Sequence, residues 1–174
     1  MAGEVANSDD SEKENGIVTE ALNRISDGLA RLREGWLGST ELRGVSVEEI
    51  RDVLGEEVFA LAPPSYVKFL QEAGLEAGGF LAGSDFLFPQ LPLLQEYGEE
   101  VRREEPDAFV DVTEPILVIV SHQGYQFLFL QSASEESPVM RYLDSEGVTQ
   151  LDVTFSQFFV MQIEADIRST RSAT

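Results

Sequence analysis

The sequence predicts an α+β domain in which helices pack around a largely antiparallel sheet. Three observations predict it. Apolar residues recur at helical spacing through the N-terminal part, two apolar runs flank a compact turn at 122–124, and two alternating runs flank Asp144-Ser145-Glu146-Gly147. At 174 residues and 43% hydrophobic content, the chain can build one core, and a single domain over residues 16–170 is expected.

Residues 1–15 carry five acids, one lysine and almost no bulky side chains, so they cannot bury enough to offset the entropy of ordering; a disordered acidic arm is expected. Val18, Leu22, Ile25, Leu29, Leu32 and Trp36 then recur at spacings of three and four. They form one stripe of an N-terminal amphipathic helix that Gly35 and Gly38 close. The stripe is too short for a coiled coil, so it is expected to pack on its own domain, with Trp36 in the core. Ser46-Val47-Glu48-Glu49 is a capping box that opens a second helix. Val47, Ile50, Val53 and Leu54 give that helix an apolar face, and Gly55 is its expected stop.

Pro63 and Pro64 preset φ for a third helix, whose inward stripe is Tyr66, Phe69, Leu70 and Ala73 and whose left-handed exit is Gly74. Phe86-Leu87-Phe88 suits a short strand. Pro92 suits the first turn of a fourth helix with Leu93, Leu94, Tyr97 and Val101 on one side and acids on the other. Strands are expected near 116–121, 125–131, 138–143 and 148–152, the first two apolar on both faces and therefore central in the sheet. His122-Gln123-Gly124 has the composition of a tight hairpin turn. Thr154-Phe155-Ser156-Gln157 opens a last helix with Phe155, Phe158, Phe159 and Ile163 inward.

The charge narrows the function. Thirty-two acids against 12 bases give −20, a field that repels nucleic acid and anionic membranes and attracts a basic protein partner. With no cysteine, thiolate chemistry and disulfides are excluded. The N-terminus lacks a basic stretch followed by an apolar one, and a cytoplasmic location is expected. Nucleotide-binding glycine loops, nucleophile elbows and zinc motifs are missing, and the single histidine, His122, reads as a surface or hydrogen-bonded turn residue. So many acids make any chosen carboxylate pair uninformative, and no enzyme activity, cofactor or metal is expected.

LRGVSVEEIRDVLGEE, LAPPSYVKFLQEAG, ILVIVSHQGYQFLFL, PVMRYLDSEG and TFSQFFVMQI, in that order from about Ala21 to Ile167, resemble the SMI1/KNR4 family of the SUKH superfamily. The most specific piece is Leu61, Pro63 or Pro64, Tyr66, Phe69, Leu70 and Gly74. Two features depart from the family pattern: Ala62 separates leucine from proline, and Gly74, Gly78 and Gly79 stand where an asparagine-glycine-glycine turn is common. The resemblance implies an α+β protein-binding domain. Bacterial members neutralise toxins, often nucleases, as immunity proteins, and fungal relatives act as regulatory hubs. The expected function is therefore neutralisation of a basic toxin; the alternative is a regulatory or scaffolding hub that binds cellular partners through an acidic face.

The candidate binding residues follow from charge. Between Glu96 and Glu114 eight acids face only Arg102 and Arg103. Glu96, Glu99 and Glu100 share a helix side on which lysines and arginines of a partner can land, with Tyr97 beside them as an aromatic anchor if exposed. Asp144, in the Asp144–Gly147 turn, and Asp85, in the Gly78–Asp85 loop, are the next candidates should the helix side not bind. The plain alternative is a solvated helix face.

Overall fold

The structure, a computed structural model, describes residues 8–34 and 41–172. The element order is α1 (Ser8–Arg33), β1 (Leu42–Arg43), α2 (Val47–Phe59), α3 (Pro64–Ala73), β2 (Glu76–Ala77), α4 (Leu91–Glu104), β3 (Leu117–His122), β4 (Gln126–Leu130), β5 (Pro138–Leu143), β6 (Gly147–Thr154) and α5 (Phe155–Ser172). Short 3-10 turns at Phe88–Gln90 and Pro106–Phe109 flank α4. Strands β3-β4-β5-β6 form an antiparallel meander, and β1 pairs with β2 in a small separate ladder. The α+β class and the four strands are as expected from the sequence. Among the described residues no helix is long and apolar enough to cross a membrane.

Helix α1 begins at Ser8, so residues 8–15 are helical and the expected disordered arm does not extend through them. Residues 1–7, together with Gly35, Trp36 and Gly38, lie outside the described residues. Ile25, Leu29 and Leu32 are buried and Leu22 is half-buried, so the stripe packs inward, against α3 and α5. Ion pairs from Arg31 to Glu164 (3.3 Å) and from Arg33 to Glu72 (2.8 Å) border those contacts.

The Ser46 capping box forms as expected: Ser46 Oγ accepts from the Glu49 amide and Glu49 accepts from the Ser46 amide. The bonds that the Ser46 amide and then its hydroxyl donate to Glu49 Oε2 hold the Glu49 carboxyl below its ordinary value. Gly55 ends the first helical stretch of α2 as expected: at φ 71° and ψ 161° it is non-helical, and a second stretch then runs on to Phe59. Before it, Ile50 and Leu54 are buried, whereas Val53, expected on the same face, is 36% exposed. Helix α3 has the inward stripe expected, with Tyr66, Phe69, Leu70 and Ala73 all buried. Gly74, however, is right-handed (φ −63°). It is glycine because of space: a Cβ there would lie 2.6 Å from the Leu70 carbonyl oxygen.

Two aromatic sets fill the core. Phe109, from the 3-10 turn after α4, stacks on Phe127 and Tyr142, which pair across β4 and β5. Phe69, Phe80, Phe86, Phe155 and Phe159 form the second set and tie α3, the 80–86 segment and α5 together. Each fully buried ring of this kind contributes about 1.5–3 kcal/mol by transfer from water alone. Phe158, expected inward, is only half-buried because it points toward the more open side of α5.

Strand β3 corrects the reading of its position. It is apolar on both faces yet stands at the sheet edge rather than at its centre. Its outward backbone groups are satisfied by other means. Asp85 exchanges two backbone hydrogen bonds with Ser121 (2.8 and 2.9 Å), and the Gln95 amide both accepts from Val118 N (3.0 Å) and donates to Val118 O (2.8 Å). The expected strand at 86–88 is therefore reduced to this single bridge at Asp85. A side-chain amide serving as a strand surrogate protects an edge from pairing with another chain.

Candidate functional site

Helix α4 lies along that edge. Pro92 occupies its first turn, where a missing N–H costs nothing, and Leu94 and Val101 turn inward. Gly98 permits the close approach to β3, since a Cβ there would sit 2.5 Å from Val118 Cγ2. The opposite side carries Leu93, which is 65% exposed although expected inward, and the exposed Glu96 and Glu100.

Tyr97 is half-buried and not a free anchor. Its ring packs edge-on against Phe127 at 5.6 Å and its hydroxyl donates to the Gly124 carbonyl (2.7 Å), fixing α4 to the β3–β4 turn. In that turn Gln123 (φ 52°) and Gly124 (φ 74°) are both left-handed, which matches the twist of a two-stranded hairpin. Burial raises the Tyr97 hydroxyl above its ordinary value, and the negative charges of Asp144, Glu105 and Glu100 raise it further. Three of the acids around α4 and the turns thus act on two rings, because Tyr142, buried beside them, is raised by burial and by a hydrogen bond to Glu105.

The fold therefore brings Tyr97, Glu96, Glu100 and Asp144 into one acidic neighbourhood and adds Glu105, which the charge pattern did not single out. Glu99 is drawn elsewhere. It accepts from Arg102 (3.1 Å), whose guanidinium, only 8% exposed, also binds Glu114. Asp85 stands on the other side of Tyr97, where its backbone is clamped to Ser121. Between them lies a cavity of about 250 Å³. Leu93, Leu94 and the Tyr97 ring make its apolar wall, and Asp85, Gln90, Ser121 and Gly124 its polar one. Gln90 Oε1 is buried without a hydrogen-bond partner.

His122, expected in the turn, is instead the last residue of β3, hydrogen-bonded with Nδ1 3.0 Å from Ser84 Oγ. Its small cavity is closed by Asp166, both of whose oxygens are occupied by the Leu81 amide and Gln162. The residues missed in the sequence, Gln90 and Gln95, carry no charge and no motif; their roles come from their placement at the β3 edge. Comparison with family models, curated proteins and solved structures gives no match.

The raised tyrosines give a pH prediction. The fold prefers the neutral phenol, so the folded values lie above the unfolded one of about 10; that stabilisation is complete below about pH 10 and is lost as pH rises through the folded values. Urea unfolding at increasing alkaline pH is expected to show falling stability, with a flatter decline in Tyr142→Phe. An identical decline in that variant would place the alkaline sensitivity elsewhere.

Proposed function

We propose that this chain is a non-enzymatic binding domain of the immunity type that neutralises a basic protein toxin through the face around Tyr97. The observation that carries the reading is that acids from three segments border Tyr97: Asp144 and Glu100 act on its hydroxyl, Glu96 precedes it on α4, and Asp85 shares its cavity. Leu93 in that cavity is 65% exposed, and Tyr125, whose carbonyl accepts from the Asp144 amide, is 42% exposed. Acids around a small apolar centre suit a cationic protein surface, because charge steers the encounter and apolar contact slows dissociation. The net charge of −20 extends the same field over the whole molecule.

The test uses a basic toxin whose gene is found beside that of this chain. Reversing Glu96, Glu100 and Asp144 to lysine is expected to slow association about tenfold or more at low salt and to flatten its salt dependence. Glu99 is left intact because it holds Arg102. All three positions are exposed, so the thermal transition should persist. An unchanged on-rate would move the interface away from this face, and failure of the wild-type chain to bind or protect against that toxin would remove the immunity reading.

A further inference from the structure

The cavity beside Tyr97 asks for a more specific occupant than a diffuse positive surface. We propose that it is a receptor for one arginine side chain of the basic partner, an inference that rests on the acidic-face reading above and refines it. At about 250 Å³ the space falls below the roughly 300–1,000 Å³ of small-molecule sites and suits a single long side chain. Its walls differ in a way that matches a guanidinium. The Tyr97 ring with Leu93 and Leu94 offers a flat aromatic and aliphatic surface, against which a weakly hydrated planar cation stacks.

The polar wall brings two acceptors, Asp85 and the Gly124 carbonyl, beside the Ser121 hydroxyl. Asp85 forms no ion pair among the described residues, and its position is set by the two backbone bonds to Ser121, so its carboxylate is presented rather than consumed. The Gly124 carbonyl accepts one bond from Tyr97 and retains a second lone pair. A guanidinium carries five donors in a fixed plane and can serve several acceptors at once; an ammonium is compact, more strongly hydrated and has no face to stack. Arginine, not lysine, is therefore the expected occupant.

The experiment titrates the full-length chain with hexa-arginine and hexa-lysine peptides by fluorescence anisotropy, at low salt and at about 0.15 M salt. Hexa-arginine is expected to bind about tenfold more tightly than hexa-lysine, with the difference surviving at the higher salt. Asp85→Asn, checked for an unchanged thermal transition, is expected to remove most of the arginine preference while altering hexa-lysine binding little. Equal binding of the two peptides, or a preference untouched by that variant, would overturn the pocket. If binding then still weakened on reversal of Glu96, Glu100 and Asp144, the acidic face would stand without it. Absence of binding by either peptide at low salt would overturn both.

Discussion

Replacing Phe127 by alanine is expected to lower the unfolding free energy by about 3–5 kcal/mol, the range for emptying a buried aromatic site. The ring is fully buried and touches Tyr142 at 5.0 Å, Tyr97 at 5.6 Å, Phe129 at 5.8 Å and Phe109 at 6.2 Å between centroids. Each such pair adds about 0.5–1.5 kcal/mol beyond area burial, and all are lost together. The site cannot readily collapse, because β4 is held on both sides by β3 and β5. Urea denaturation measures the loss. Phe158→Ala is the internal comparison: that ring is half-buried, and its loss is expected to cost clearly less. A Phe127 loss below about 1 kcal/mol would show that the sheet face repacks and that the anchoring of Tyr97 does not depend on it.

How much of this was legible in the sequence depends on how local each cause is. The Ser46 capping box, the prolines before α3 and the glycine turn after His122 act within a few residues, and each appears where the sequence places it. The inward stripe of α3 was legible because its spacing and its burial agree. Failures cluster where tertiary contacts decide. Gly55 breaks the helix as its sequence suggests, but the second helical stretch up to Phe59, over which Arg51 sits at 4.7 Å, was not legible from that local stop. Strand β3 has the apolar composition of a central strand, yet a glutamine from α4 takes the place of the missing neighbour. The acidic site was half legible: charge density along α4 pointed to Glu96 and Glu100, while only the fold shows that Arg102 withdraws Glu99 and that Asp85 and Asp144 flank Tyr97.

Glu135→Ala is expected to cost about 2–4 kcal/mol, through a helix that lies 70 residues earlier in the chain. Helix α3 begins with two prolines; its N-cap, Pro63, has no side-chain oxygen to offer, and Ser65 carries the first free amide of the turn. That amide donates to Glu135 Oε1 and the Ser65 hydroxyl donates to Oε2, both at 2.6 Å. The carboxylate, 6% exposed and at the positive end of the helix dipole, replaces the cap that the sequence around α3 cannot supply. Alanine leaves Ser65, fully buried, with an amide and a hydroxyl to satisfy, and a hydrogen bond to a charged group contributes about 1.5–3 kcal/mol. Glu135→Gln keeps the shape but exchanges one acceptor for a donor, so it should lose about half as much. Ser65→Ala combined with Glu135→Ala is expected to cost less than the sum of the two, because both remove the bond from the Ser65 hydroxyl to Oε2. Being buried, the interaction should be nearly insensitive to salt, unlike the acidic face. Chemical denaturation of the four variants at low and high salt decides the matter: additive losses, or a Glu135→Ala loss under about 0.5 kcal/mol, would mean that the β4–β5 loop merely rests on α3 rather than capping it.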